Sequence, residues 1–431
     1  MRTIRLRRVV VTGIGVVSPN AIGKVAYGEA NRHGRSGIKS ILEFDTAHLK
    51  SKVAGLVRGL DLSEVMEKRH LRAVSRTAPL AIIAAREALC EAGLDPANLD
   101  LPTRRDIGVI LGTGGGGIAH VEELYEDYFS GKMARASALA VPAGTPGNIA
   151  SELSISLGLR GPSHVISTGC TSSSDAVGYA FRRIRYGESP LVLAGGSDAP
   201  IAPGIMKGFD LMGITSHKWN AEPERASRPF AKDRDGFVLS EGSWMFVLED
   251  YEHAQNRGAP ILGEVLGYAS TCDAWHRVSM SPDLEEPVRA IQLALSDAGL
   301  RPEDMGYVNL HGTATPLNDR VEITVMQRVF GDKVAKVPMS STKSLIGHPQ
   351  GACGAAGMAA TWLGLAQGFL PPTLNLDETD PGCELDLIPH QARVTPAETA
   401  LCNCMGFGSK NSALVISKAG FLNRAGLAGE S

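Results

Sequence analysis

The sequence of 431 residues predicts an α/β protein built on a largely parallel sheet. Short apolar runs recur along the whole length. Segments with apolar residues at helical spacing separate them. The 49 glycines fall largely beside the ends of the apolar runs, at turns, and not in a linker.

The first run is Val9–Val11, within MRTIRLRRVVVTGIG. This opening is basic and then apolar, as a secretory leader would be, but Gly13 and Gly15 interrupt the run and no cleavage-like end follows. It reads as a strand. Ala78–Ala92 follows at helical spacing. Ile107–Leu111 is a strand running into Gly114–Gly117; no Lys-Ser/Thr follows those glycines, so they are not a phosphate cradle. Ser163–Ile166 reads as a short buried strand, then comes STGCTSSSD (167–175), then a helix from Asp175. Strands are expected at Leu191–Leu193, Met245–Leu248, Ile261–Val265, Tyr307–Leu310, Val337–Ser340 and Ala413–Ile416, with helices at Pro287–Ala298 and Gly354–Ala366. From Gly420 onward small residues dominate and add little to a core.

Two patterns occur twice. VILGTGGGG (109–117) and VNLHGTAT (308–315) both run from strand to loop. HVISTGCTSSSDAVGYA (164–180) and VPMSSTKSLIGHPQGACGAAGMAA (337–360) both run from strand through a polar turn to a helix. An internal duplication is expected, with residues 1–258 carrying a cysteine, residues 259–420 carrying two histidines, and the boundary near 255–261.

Apolar residues make up 43% and charged residues 21%, the balance of a globular protein. A net charge of -3 speaks against a generally basic nucleic-acid binder. No apolar run has the length needed to cross a membrane. Seven cysteines, an odd number without CxxC spacing, point to reduced thiols, a cytoplasmic setting and no zinc site.

Cys170 falls on a strand-to-helix turn, where free N–H groups and the helix dipole favour thiolate. On this stretch alone a buried structural cysteine is as good a reading. His311 directly follows the Tyr307–Leu310 run, and Lys343 and His348 follow Val337–Ser340. In open α/β sheets functional groups gather at the carboxyl ends of strands, and all three segments lie there. GIGVVS (13–18) raises a dinucleotide site, but Ser18-Pro19 replaces the third glycine and the helix start, and no acid is placed for a ribose.

Six segments in order, RVVVTGIGVVSPNAIG (8–23), STGCTSSSDAVGYA (167–180), SRPFAKDRDGFVLSEG (227–242), VNLHGTATPLND (308–319), STKSLIGH (341–348) and GFGSKN (406–411), resemble the β-ketoacyl-acyl-carrier-protein synthases of the thiolase-like superfamily over nearly the whole chain. TGCTS followed by SDA, and GYASTCDAWH (267–276), are most similar to ketosynthase subunits of bacterial type II polyketide systems, with fatty-acid condensing enzymes next. The resemblance implies two duplicated thiolase-like halves in α-β-α-β-α layers and a decarboxylative Claisen condensation. Cys170 would hold the acyl thioester, and His311 and His348 would bind the malonyl thioester. Lys343 would orient His348 and neighbouring groups electrostatically. The backbone N–H groups of Cys170 and Phe407 would form the oxyanion hole, with Phe407 also a gate. Thr313 and Thr315 would bind the phosphopantetheine arm of an acyl carrier protein, with no other cofactor and no metal. The partner subunit would be a second copy or a chain-length-factor-like chain; such a factor lacks the cysteine, so the present chain reads as the active member.

Departures from the family pattern raise further expectations. Gly357 stands where fatty-acid members carry a glutamate near the lysine, while Glu322 keeps its usual relation to His311. Met405, Ser409 and Lys410 alter a loop that reads FGFGGTN in relatives, which predicts altered gating. Gly115 and Met405 are candidates for the acyl pocket. Lys68, Arg69, Arg72 and Arg76 are candidates for docking an acidic carrier protein.

Overall fold

The computed structural model describes residues 5–132 and 137–426. Ten strands form the framework: β1 (Val9–Ser18), β2 (Ile107–Gly112), β3 (Ser163–Ile166), β4 (Leu191–Asp198), β5 (Gly242–Asp250), β6 (Gly263–Cys272), β7 (Val308–Asn309), β8 (Met339–Ser340), β9 (Thr399–Gly406) and β10 (Lys410–Lys418). Six helices matter for the site: α1 (Thr77–Glu91), α2 (Asn148–Leu157), α3 (Ser172–Arg185), α4 (Glu285–Asp297), α5 (Pro316–Phe330) and α6 (Cys353–Gln367).

The strands run in the order β3-β2-β4-β5-β1 and then β6-β10-β9-β7-β8. Counted within its own half, each set of five has the order 3-2-4-5-1 from its outer edge. The pairing senses repeat too, and they correct the expectation of a largely parallel sheet: the sheet is mixed, because only the second strand of each half has parallel neighbours on both sides. In the first half β2 is parallel to β3 and β4, whereas β4–β5 and β5–β1 are antiparallel. In the second half β7 is parallel to β8 and β9, whereas β9–β10 and β10–β6 are antiparallel. The halves join where Val9–Val11 of β1 pairs with Gly263–Val265 of β6.

Helices α1 and α2 cover the outer face of the first half, and α4 and α5 that of the second. Between the halves lie α3 and α6, each touching strands of both. Their sequences fit that place. Helix α3 buries Ala176, Val177, Ala180, Phe181 and Ile184, an apolar stripe, and carries Arg182, Arg183 and Arg185 in its last turn, where cations suit the dipole. Helix α6 is apolar nearly all round, as a helix between two sheets must be.

Strand β1 continues through Gly13 and Gly15, and the reason is close approach. A side chain at either would run into the α1 backbone, at Ala88 and Ala84 respectively. Strand β9 was not anticipated: TALCNCMG lacks the β-branched run that marks the others, yet it is buried between β7 and β10. The expectation of a buried strand at 163–166 is corrected. Ser163 and His164 are exposed and the free edge of β3 has no partner strand among the described residues. Among those residues no helix is long and apolar enough to cross a membrane.

Candidate active site

The small hydroxyl residues around Cys170 knit a tight turn. Gly169 takes φ +69°, open to glycine at little cost. Ser172 Oγ donates to the Gly169 carbonyl at 2.6 Å and accepts from the Thr168 N–H at 2.9 Å. Thr168 and Thr171 hydroxyls donate to the buried Asp175 carboxylate at 2.5 and 3.0 Å, and Tyr268 adds its hydroxyl at 2.9 Å. Cys170 is held two residues before α3, 7% exposed. A Cβ on Gly406 would lie 3.1 Å from the Cys170 nitrogen, so glycine there lets the Met405–Phe407 segment press against the cysteine's amide.

His311 lies just beyond β7. The Glu322 carboxylate, from α5, accepts the N–H groups of His311 and Gly312, both at 2.7 Å, and the Asn403 side-chain amide at 2.6 Å. Burial raises the Glu322 carboxyl to about 7 against these bonds. Lys343 Nζ donates to the His311 carbonyl at 2.6 Å and stands 3.4 Å from His311 Nδ1. An ammonium is only a donor, so Nδ1 accepts and Nε2 carries the ring hydrogen. Burial, and then Lys343, push the His311 pKa down to about 3, which leaves a neutral imidazole.

His348 follows β8, its N–H bonded to the Val238 carbonyl at 2.7 Å. Its ring meets that of His311 edge-on, centroids 5.5 Å apart at 88°, and packs against Phe237 in the same manner. Burial works against its charge, but the Cys170 and Cys353 sulfurs together outweigh burial and raise its pKa to about 9. The Cys170 sulfur and one ring nitrogen from each histidine lie within 4.8 Å of one another. They close the floor of a cleft of about 220 Å³, whose walls include Thr313, Thr315, Met405 and Phe407. The Thr313 and Thr315 hydroxyls are 2.9 Å apart, and Thr315 also caps α5 by accepting the Asn318 N–H. Phe407 is part-exposed at the cleft.

Several expectations change. Of the groups neighbouring His348, Lys343 touches His311 directly, and among the described residues no carboxylate is paired with it. Gly115 does not line the cleft: the Gly114–Gly117 loop is held by buried Asp198, which accepts from Gly114 N–H, Gly115 N–H and the Thr113 hydroxyl. Lys68, Arg69, Arg72 and Arg76 are all exposed, but Arg76 is held by buried Glu241 at 2.8 Å and by the Val57 carbonyl, whereas Arg69 pairs only with exposed Glu67, so Arg76 is the least free of the four. The place of the absent acid at Gly357 is filled by the Asn309 side chain. Ser409 adopts φ +62° and bonds the N–H groups of Trp275 and His276 through its hydroxyl, which anchors the loop after β9. Sequence reasoning missed Cys353 and Cys404. Both S–H groups lie 3.2 Å from the Cys170 carbonyl, and nothing in their spacing announced it.

A buried thiol just before a helix, facing two imidazoles in a narrow cleft between two halves of one strand order, fits an acyltransferase of thiolase type. Comparison places it further. The chain matches the β-ketoacyl synthase N-terminal domain over residues 6–254 and the C-terminal domain over 262–377. It is 41% identical to 3-oxoacyl-[acyl-carrier-protein] synthase 2 of Vibrio cholerae, covering 96% of this chain and 99% of that protein. It is 40% identical to the tetracenomycin polyketide synthase ketoacyl synthase alpha subunit of Streptomyces glaucescens, covering 96% and 97%. Its fold superposes on the ishigamide ketosynthase/chain length factor with a TM-score of 0.89 at 33% identity, covering 96% and 100%. The chain belongs to the β-ketoacyl synthase family.

Proposed function

We propose that the chain catalyses decarboxylative condensation of a malonyl thioester with an acyl group held on Cys170, lengthening the chain by two carbons. The observation that carries this is the convergence of the Cys170 sulfur with both imidazoles at the floor of one cleft. Cys170 thiolate attacks the acyl thioester of an acyl carrier protein, and the pantetheine thiol leaves with a proton. Thr313 and Thr315 hydroxyls hold the pantetheine arm along the cleft wall, and no other cofactor takes part. The malonyl group then occupies the same arm position. Its bond to the carboxylate breaks, carbon dioxide leaves, and the electron pair passes to the thioester carbonyl oxygen. The Nε2–H of His311 and a ring N–H of His348 donate to that enolate oxygen, the kind of preorganised donation that supplies the largest share in such sites. The enolate carbon attacks the acyl carbonyl, the oxyanion sits on the N–H groups of Cys170 and Phe407, and collapse expels the Cys170 thiolate.

The division into halves at 258/259, a cytoplasmic setting with seven free thiols, and docking of an acidic carrier protein at Lys68, Arg69 and Arg72 belong to the same reading. So does a dimer: the open edge of β3 offers unpaired backbone to a second chain of this fold, a copy or a chain-length-factor-like subunit. The pathway we infer is a type II polyketide one, on the ground of TGCTSSSDA and Gly357. Incubation with malonyl-loaded carrier protein and acyl donors, saturated or polyketide-like, tests this by the mass of the carrier-bound product. A β-ketoacyl product two carbons longer supports the reaction. Turnover restricted to saturated donors would assign fatty-acid elongation instead, and no condensation with any donor or partner chain would overturn the proposal.

A further inference from the structure

Two cysteines beyond the nucleophile sit in the same site. Cys353 is the first residue of α6, as Cys170 stands just before α3, so the two central helices both begin beside a thiol. Cys404 comes from β9, the strand between β7 and β10. Their sulfurs are 3.6 Å apart, buried, and free. Three features set Cys353 apart from Cys383 and Cys402, whose thiols burial pushes up to about 11 and about 12, and from Cys404, which the Cys353 sulfur and burial keep as a thiol. Cys353 stands in the first turn of α6, at the positive end of the helix dipole, although its own N–H is bonded to the Gln350 carbonyl and the Ala355 N–H to the Ser173 hydroxyl. Burial opposes its ionisation, but the Cys404 thiol and the charges of Lys343 and His348 outweigh burial and lower its pKa. A second thiol stands in reach to resolve any oxidised sulfur. The pair is buried behind the cleft floor and does not line the cleft, but Cys170 and His311 of that floor are in direct contact with it, so a small oxidant has only that one layer of side chains to pass.

We propose that Cys353 and Cys404 form a hydroperoxide-sensitive thiol pair that closes to a disulfide beside the nucleophile. The steps balance. Cys353 thiolate attacks one oxygen of hydrogen peroxide, the O–O bond breaks, and the departing hydroxide takes a proton to leave as water, giving Cys353 sulfenic acid. The Cys404 thiol attacks that sulfur, the S–O bond breaks, and a second water leaves. The pair loses two electrons and two hydrogens, and the peroxide is reduced. Closing the bond draws the sulfurs from 3.6 Å to about 2.05 Å. Both sulfurs touch the Cys170 carbonyl, and Cys404 stands 3.5 Å from His311 Nδ1, so the bond shifts the nucleophile's turn and the imidazole together. The oxidised chain loses condensing activity although Cys170 stays a thiol, and a dithiol restores it.

The consequence for activity rests on the reaction proposed above; the oxidation itself does not, and the test separates them. The full-length chain with Cys170→Ala, and the unsubstituted chain, are treated with hydrogen peroxide, alkylated and mapped by peptide mass. The expected result is a loss of 2 Da and a linked Cys353–Cys404 peptide in both, reversed by dithiothreitol. Cys404→Ser in the same assay leaves Cys353 as a sulfenic or higher acid. Free thiols at 353 and 404 after Cys170 has been oxidised would overturn the inference. So would a disulfide joining any other pair.

Discussion

The two halves share one strand order, yet they hold the loop after their second strand for different ends. In the first half that loop is Thr113–Gly117. A buried carboxylate, Asp198 from β4, accepts the N–H groups of Gly114 and Gly115, the Thr113 hydroxyl and also the Gly351 N–H. In the second half it is His311–Thr315. There Glu322, from a helix, accepts the N–H groups of His311 and Gly312. Each half thus fixes a turn by giving two successive backbone donors to one buried carboxylate. Only the second turn presents an imidazole. The first half contributes its chemistry from the end of the third strand, as Cys170. The lesson is that a repeated strand order supplies a symmetric frame, while the choice of one residue per turn decides which half presents a thiol and which presents imidazoles.

The largest predicted break in this asymmetry is at the imidazoles. His311→Ala or His348→Ala removes one enolate donor and lowers the rate of malonyl decarboxylation by roughly 10²–10³-fold, read as carbon dioxide release. Acylation of Cys170 is less affected by His311→Ala, because Nε2 of that residue faces the enolate step.

Next come the two carboxylates. Glu322→Gln keeps one acceptor oxygen and strands a buried N–H beside an amide donor; the expected loss is about 1–3 kcal/mol in denaturant unfolding. In Glu322→Gln decarboxylation also falls, since the His311 backbone is no longer fixed. Asp198→Asn costs a similar amount of stability with little loss of turnover. Equal losses of turnover in both would break the comparison.

Asp198 also sharpens it through pH. Burial raises its carboxyl to about 6 from 3.8, so the folded chain binds this proton more readily than the unfolded one. Its contribution to stability is full below pH 4 and is lost as pH rises through 6. Unfolding midpoints measured from pH 4 to pH 7 should therefore decline more steeply with rising pH in the unsubstituted chain than in Asp198→Asn. Parallel profiles would refute the assignment.

The smallest effect is expected at Gly357. Gly357→Ala gains helix propensity of about 1 kcal/mol but forces a methyl against the Asn309 side-chain oxygen. Overpacking of that kind costs about 1–3 kcal/mol, so a net loss of about 1 kcal/mol is expected by chemical denaturation.

Much of the frame was legible because its strands are apolar runs ending in glycine or polar turns, and each half repeats the pattern. Strand β9 was not, because TALCNCMG is buried by its neighbours and carries no alternation or β-branched signature of its own. Cys170, His311, Lys343 and His348 were legible as segments following strand ends, and the family resemblance joined them. Their contacts were not. That Lys343 serves His311, that Asp198 holds the glycine run away from the cleft, and that Arg76 is spent on Glu241 all depend on packing between residues far apart in the chain. Cys353 and Cys404 lie 51 residues apart in sequence and meet only because α6 and β9 converge on the turn that carries Cys170.

The most direct test of the account is intact-protein mass spectrometry after incubation with acyl-loaded carrier protein, comparing the unsubstituted chain with Cys170→Ala, each with and without a same-fold partner chain. The account predicts one acyl adduct per chain, on Cys170, absent from the variant and labile to hydroxylamine. No adduct under any of these conditions, or an adduct that persists in Cys170→Ala, would contradict it.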